Sequence, residues 1–592
     1  MWNKQQILAA LKTQSQPLLQ TELLEFSKKS HSQFTLKQLS AVEKQAKIYL
    51  SLPIPELTYS KFRLYWDTGD RESYESLYFE RRGRLFVFSA LTWLNPQNEE
   101  YKNALNEIIW AICSEPFWAM PAHFLGADDK ALPFEEYPTQ LDLFACETAF
   151  ALAETLELNG QLLPEMVIKL VKLQIENRIL NPFLQTDHKY RFENMKNNWS
   201  SVCASAIGGT ALYLVDDTDT LAELLHRCFL CEEVYLSSFG NDGICTEGVD
   251  YWTYGFGFFV CFADLLNKRT NGSLNYFKEH KVQSIARSQQ LFYISGKSTI
   301  SFSDGSEDSH YRIGLSFYLQ KHIDDVILPP QNFAAPILED KCYRFCLALR
   351  DLLWEGQPLT TLNENFSAWL SNAQWFLSKK SSITLAAKAG NNGESHNHND
   401  CGSFILYKNG VQVLCDLGAG LYDAEYFSPR RYDIFVNRSF SHNIPLIEGG
   451  EQQPGSEHNA EVLLREFGDT KNVFSCELKS CYENENLISF KRTLIHEINT
   501  DKVVVNDIFS FNRPGNITEV FCSREPIALQ DDCAIIKRGD EKVVLNYDSS
   551  LFHANVIQQE YIDHYAQKQS AWLLRLETRS PQANNCCSIE IE

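Results

Sequence analysis

The sequence predicts an α+β chain in two parts, an N-terminal array of paired helices followed by a C-terminal antiparallel β-sandwich. Three observations predict it. The chain has 592 residues, too long for one ordinary core. From residue 1 to about 365, apolar residues recur mainly at the spacing of amphipathic helices. From about 366 onward, short alternating or β-branched runs at hairpin distances replace that spacing. The expected domains are therefore 1–365 and 366–592.

The helical spacing is read in order from Ile7-Leu8-Leu11, Leu85-Phe88-Leu91-Leu94, Leu105-Ile108-Ile109-Ile112 and Leu141-Leu143-Phe144-Thr148. It continues through Val167-Leu170-Val171-Leu173, Ala204-Ile207-Leu212 and Phe345-Cys346-Leu349-Leu352-Leu353. Asn95-Pro96, Asn159-Gly160, Asn181-Pro182, Asp216-Asp217, Asn271-Gly272 and Pro329-Pro330 separate these segments. A dozen or so helices in consecutive hairpins suggest a toroid or solenoid, with no fixed-period sequence repeat. In the second part, Ser382–Leu385, Phe404–Tyr407, Val411–Leu414 and Lys502–Val505 read as strands. Lys408-Asn409-Gly410 reads as a tight turn. Ile535-Ile536, Val543–Leu545 and Leu573–Leu576 continue the pattern to the end, as in a β-sandwich.

Composition narrows the class. Hydrophobic residues are 44% and charged residues 22%, as in an ordinary globular protein. Fifty-four basic against 76 acidic residues give a formal charge of −22, which argues against a nucleic-acid partner. The 38 Phe, 25 Tyr and 11 Trp suit either a large core or a protein that stacks sugar rings. The N-terminus MWNKQQILAALKTQSQ lacks the pattern of a secretory signal, so a cytoplasmic location is expected. The 17 cysteines show no framework spacing and fit reduced thiols, with Cys228/Cys231 and Cys342/Cys346 read as buried or semi-buried. The richest apolar stretch, Phe256–Leu266, contains Asp264 and is shorter than a membrane span, so no membrane partner is expected.

The chemistry concentrates between Glu394 and His442. His396 and His398 lie two apart, so on an extended backbone both imidazoles project to one face. Asp416 closes the run Val411–Cys415, and His442 follows the strand-like Ile434–Val436. A single histidine in a strand is more often a core residue than a ligand. The combination points instead to a three-ligand site for a borderline cation such as zinc.

The run KAGNNGESHNHNDCGSFILYKNGVQVLCDLGAGLY, followed by RRYDIFVNRSFSHNIPLIEGGEQQPG, resembles the C-terminal region of the heparinase II/III-like polysaccharide lyases. Two upstream segments, NNWSSV and DGICTEGVDYWTYG, occur in the family's order, and the resemblance covers the chain from about residue 60 onward. It implies an (α/α) toroid, then an antiparallel β-sandwich, and β-elimination on a uronate-containing polysaccharide or oligosaccharide. A glycosaminoglycan such as hyaluronan, chondroitin or heparan sulfate comes first, and oligoalginate next.

Residue by residue, the resemblance places the carboxylate-binding amide on Asn197 or Asn198, of which Asn198 is favoured, the acid and perhaps base on Tyr254, and a base or carboxylate neutraliser on His396. It places metal ligands on His398, Asp416 and His442, with Zn2+ ahead of Mn2+ or Ca2+. Asn197 is also an N-cap candidate, and Tyr251 is the alternate to Tyr254. Asn197, Trp199, Glu247, Tyr251, Tyr426, Arg430, Arg438 and Gln452 are the candidate substrate contacts. Tyr426 and Gln452 could equally be solvated loop residues. A polyanionic substrate needs local basic groups, for which His188–Arg191, Lys196 and Arg430-Arg431 are candidates. Homodimer formation is left open.

Three competing readings are a metallohydrolase built on the HxHxD pattern of His396, His398 and Asp400, a sugar-binding protein without turnover, and an inverting glycosidase. The last needs two carboxylates facing each other across a sugar, and Glu247 and Asp250 in one segment cannot supply them.

Overall fold

A computed structural model of the chain describes residues 2–13, 15–125, 130–185, 188–356, 365–423 and 425–592. Internal contacts divide it into a helical unit, Met1–Ser238, Tyr251–Ala286 and Tyr311–Leu359, and a β unit, Phe239–Asp250, Arg287–His310 and Thr360–Glu592. The order of helices followed by antiparallel sheets is the one the sequence predicts. The expected change at 365/366 borders residues 357–364, which lie outside the described residues. Two earlier segments also belong to the β unit. Residues 287–310 do so because Tyr293–Ser295 and Ser298–Thr299 form a hairpin bonded to its strands: Tyr407 Oη donates to Thr299 O at 2.7 Å and Gln412 Nε2 to Ser301 Oγ at 3.0 Å.

In the helical unit, neighbours in sequence are neighbours in space, as Glu72–Leu94 with Glu99–Cys113 shows. The helix Asn198–Leu214 lies among Leu143–Asn159, Thr218–Ser238 and Gly257–Arg269. Such a helix must be apolar on every side. Accordingly it is buried almost throughout, with small residues at the contacts. A Cβ at Gly208 would sit 2.5 Å from the Phe262 ring, and one at Gly209 2.5 Å from Phe150. Absence of side chains there lets the helices approach. No helix among the described residues is long and apolar enough to cross a membrane.

Among the described residues the β unit holds antiparallel sheets of eight, five and four strands, besides two two-stranded pairs. The five-stranded sheet runs Phe366–Leu370, Trp375–Lys380, Ile383–Lys388, Phe404–Lys408 and Val411–Leu414 in spatial order. Asn409 and Gly410, both at positive φ (48° and 80°), close its last hairpin, as the Asn-Gly signal predicts. Phe376 of this sheet stacks on Phe467 and Phe474 of the eight-stranded sheet, at 4.9 and 5.5 Å, so the two share one core. Leu487–Glu497 alternates buried and more exposed residues, whereas Ile383–Lys388 is buried throughout because both its faces are covered. The cysteines are free thiols, and Cys228, Cys231 and Cys346 are buried.

Candidate active site

Two groups of chemical residues form, one in each unit. In the helical unit Asn197 caps its helix by accepting from Trp199 N at 3.1 Å. Asn198 opens the helix and is buried, and its side-chain amide has no protein partner among the described residues. Beside it runs a π turn, Trp252–Phe256, which carries Tyr254 and breaks the regular helical spacing expected to put Tyr251 and Tyr254 on one side. Gly255 makes this approach possible: a Cβ there would meet Asn198 Cβ at 3.1 Å and Tyr235 Oη at 2.7 Å. Ser201 Oγ donates to Gly255 O at 3.2 Å and ties helix to turn.

The Tyr254 hydroxyl donates to Glu147 of the helix Leu143–Asn159. Arg344, paired with Asp340 at 2.9 Å, places its guanidinium 3.7 Å from the Tyr254 ring centroid. Burial pushes the Glu147 carboxyl up to about 7, against the pull of Arg344 and of the Tyr254 hydrogen bond. Burial and the Glu147 charge hold the Tyr254 phenol well above its ordinary value, so it is neutral. Sequence reasoning missed Glu147 and Arg344. A glutamate inside the mostly apolar run LFACETAFALA was the available signal for the first.

In the β unit the organising residue is Asp304, which sequence reasoning also missed. Its carboxylate accepts from His396 Nδ1 at 2.6 Å, His398 Nε2 at 3.1 Å, Tyr422 Oη at 2.7 Å and Arg431 Nη2 at 3.2 Å, and from Tyr426 Oη. Burial alone would raise its pKa. The two histidines and Arg431 outweigh that and hold it well below the usual carboxylate range. The extended strand expected at 396–398 is not formed. His396 lies in a turn at φ 54°, and Ser303, next to Asp304, stands at φ 60°. Two residues in the left-handed region at one contact are strain held by that network. His396 Nε2 stands 3.5 Å from Glu247 Oε2. Burial would lower its pKa, but Asp304 and Glu247 outweigh that and raise it.

The stretch Ile434–Val436, expected as a strand, is instead part of successive 3-10 turns over 429–441 that deliver His442. His398, Asp416 and His442 are buried, with one donor atom each inside a 4.8 Å circle, and could hold a metal ion. The fit is close. Separations are 3.1 Å between His398 Nδ1 and His442 Nε2, and 3.7 and 3.5 Å from these to the Asp416 oxygens. A tetrahedral zinc with ligands at about 2.0–2.1 Å needs about 3.3 Å. The outer nitrogens meet acceptors, His398 Nε2 at Asp304 and His442 Nδ1 at Arg438 O (2.8 Å), so the inner ones present lone pairs. Asp416 Oδ2 is buried and has no hydrogen-bond partner among the described residues, as befits an oxygen meant for a cation.

The remaining candidates divide. Tyr426 and Gln452 are not solvated loop residues. Tyr426 is fully buried against Asp304 and Asn437. The Gln452 amide bridges Cys401 N and O at 2.9 and 2.7 Å. Trp199 meets His123 edge-on at 4.7 Å. Tyr251 belongs to the helical unit and Glu247 to the β unit, so their motif is divided between the two. Of the candidate basic groups, Arg430 pairs with Glu425 and Asp433, Arg431 with Asp304 and Lys189 with Glu193, and the candidate substrate contact Arg438 pairs with Glu451.

Residues 365–576 match the model of the family described as heparinase II/III-like, C-terminal. No curated protein sequence matches the chain. Among solved structures, a heparinase III aligns with TM-score 0.65 at 13% identity, covering 99% of this chain and 88% of that one. A mutant heparan sulfate lyase from Pedobacter heparinus aligns with TM-score 0.61 at 13% identity, covering 99% and 87%. A mutant chondroitin AC lyase from Streptomyces coelicolor A3 aligns with TM-score 0.52 at 7% identity, covering 99% and 82%. Residues 365–576 thus match the heparinase II/III-like C-terminal model, and the chain that carries them has a fold similar to that of heparinase III.

Proposed function

We propose that the protein is a polysaccharide lyase that cleaves a uronate-containing polymer or oligomer by β-elimination, with a glycosaminoglycan first and an alginate-like oligomer second. The observation that carries this reading is the pairing, in the helical unit, of the unengaged Asn198 amide with the Tyr254-Gly255 turn beside it. Elimination must stabilise charge on the uronate carboxylate while C5 loses its proton and O4 gains one. An amide at a helix start suits the carboxylate. A phenol suits the proton. His396, drawn toward its cationic form by Asp304 and Glu247, suits charge neutralisation better than proton abstraction. The remaining substrate-contact candidates stay part of this reading.

His398, Asp416 and His442 would hold the metal, most suitably Zn2+ given two imidazoles and a carboxylate at tetrahedral spacing. Bound there, the ion supplies fixed positive charge and cross-links three loops. The chain's own contribution is the Asp304 bond that links His398 to His396.

Two contacts weigh against the metallohydrolase reading. The Asp400 carboxylate of the HxHxD pattern is buried against Lys388 Nζ at 2.8 Å, and His396 is bonded to Asp304. The test is a panel of uronate polymers read by ultraviolet absorbance and product mass. Lyase action gives absorbing C4=C5 products with no mass gain, whereas products that have gained water and do not absorb would overturn the proposal.

A further inference from the structure

The Tyr254 phenol is neutral, so it is a poor base by itself, yet its hydroxyl donates to a carboxylate. We infer that Glu147 is a positioning residue that takes the hydroxyl proton of Tyr254 as elimination begins and returns it as elimination ends. The inference rests on the lyase reading above and deepens it.

The geometry supports a transfer. Tyr254 donates to Glu147, which leaves its oxygen lone pairs to accept another proton. Arg344, over the tyrosine ring and paired with Asp340, adds fixed charge beside the pair. Glu147 also borders a cavity of about 20 Å³ with Tyr78, Arg82, Thr148, Cys342 and Tyr343, room for about one water.

The step balances. The C5–H proton moves to the Tyr254 oxygen while the hydroxyl's own proton moves to the Glu147 carboxylate. The C5–H electron pair becomes the C4=C5 double bond as the C4–O4 bond breaks. O4 leaves with the proton now on Tyr254, and Glu147 returns the one it holds. One proton has left C5, one has reached O4, and the enzyme is as it began. Tyrosinate never forms, so the raised phenol pKa is no obstacle.

Glu147 must be ionised to accept. The charged and titratable groups around it are Tyr254 on the π turn, Arg344, Asp340, Cys342 and Tyr343 on the segment before Phe345–Leu353, Cys346 on that helix, Asp142 and Cys146 at the start of its own helix, Cys203 on Asn198–Leu214, and Tyr78 and Arg82 on Glu72–Leu94. Their balance with burial sets the carboxyl near 7, where an acceptor is most effective.

The experiment uses the full chain on whichever polymer it cleaves, with turnover read by the new absorbance across neutral pH. In the wild type kcat should rise as pH rises through about 7. Glu147→Gln should lower kcat by about 10²-fold and flatten that rise, with KM within about twofold. Glu147→Asp, which keeps a carboxylate, should keep the rise. The inference is overturned if Glu147→Gln retains the rise, or if kcat, KM and melting temperature all worsen together as a packing defect would make them. A wild type that yields no unsaturated product from any polymer overturns the lyase reading and this inference with it. A wild-type rise that survives in Glu147→Gln overturns only the relay.

Discussion

The two clusters differ in how completely their polar groups are engaged. Around Asp304, donors from His396, His398, Tyr422, Tyr426 and Arg431 converge on one buried carboxylate, and the backbone is held in the left-handed region at His396 and Ser303. Around Tyr254 the network is sparse: one hydrogen bond to Glu147, one guanidinium over the ring, and an Asn198 amide with no protein partner among the described residues. A saturated network fixes positions and resists change. A sparse one keeps lone pairs and protons available to a substrate. The β-unit cluster thus holds its groups in place, and the helical-unit cluster leaves less constrained the groups that we propose move protons.

The largest expected effect follows from the sparse side. Tyr254→Phe removes the hydroxyl that donates to Glu147 and should lower kcat by about 10³-fold, within the span of general acid–base groups. The lost bond leaves the Glu147 carboxyl without its donor, at a cost of about 1–3 kcal/mol, so the melting temperature should fall only modestly. Turnover and thermal unfolding of the same preparation check both. A variant that keeps more than a tenth of wild-type kcat would remove Tyr254 from the chemistry.

The saturated side should break differently, and the pair His396 and His398 shows how. His396→Ala removes one donor from Asp304 while His398 keeps its own bond there. Metal content and melting temperature should hold, and kcat should fall by about 10²-fold. His398→Ala removes a ligand and should release the ion, with a stability loss of about 3 kcal/mol, the scale of a site bound at about 100 times its Kd. Because Asp304 bonds both rings, turnover should fall in that variant too. Metal stoichiometry, melting temperature and kcat measured together separate the two. Loss of the metal from His396→Ala, or full occupancy in His398→Ala, would reverse the assignment.

What the sequence shows and hides follows the same contrast. Helices and strands were legible because their periodicity is written by burial: Leu105-Ile108-Ile109-Ile112 all face the core, and Asn409-Gly410 turns where two positive φ values are required. The set His398, Asp416 and His442 was legible because metal-binding side chains are few and distinctive. The backbone beneath them was not. Spacing of two implied a strand, whereas His396 reaches Asp304 from a left-handed turn, a conformation set by a partner 92 residues away. Asp304, in SDGSED, reads as an ordinary turn acid. Glu147 leaves a fainter trace, a carboxylate three residues after Phe144 and three before Phe150 on a buried helix.

The smallest expected effect tests whether the sparse cluster depends on placement alone. Gly255→Ala adds a methyl group 2.7 Å from Tyr235 Oη and 3.1 Å from Asn198 Cβ, and both contacts must yield. Overpacking costs about 1–3 kcal/mol, offset by about 1 kcal/mol because alanine favours a helical backbone. A net loss near 1 kcal/mol is expected. Gly209→Ala makes a similar clash, 2.5 Å from the Phe150 ring, on the same helix as Asn198 but away from the Tyr254 turn. It serves as the control. If placement of Asn198 against the turn matters, Gly255→Ala should lose about tenfold in kcat while Gly209→Ala loses stability with kcat near wild type. Equal kcat losses in the two variants, in proportion to their melting temperatures, would show that general loosening of the helical unit is the cause and that the Asn198–Tyr254 arrangement tolerates displacement.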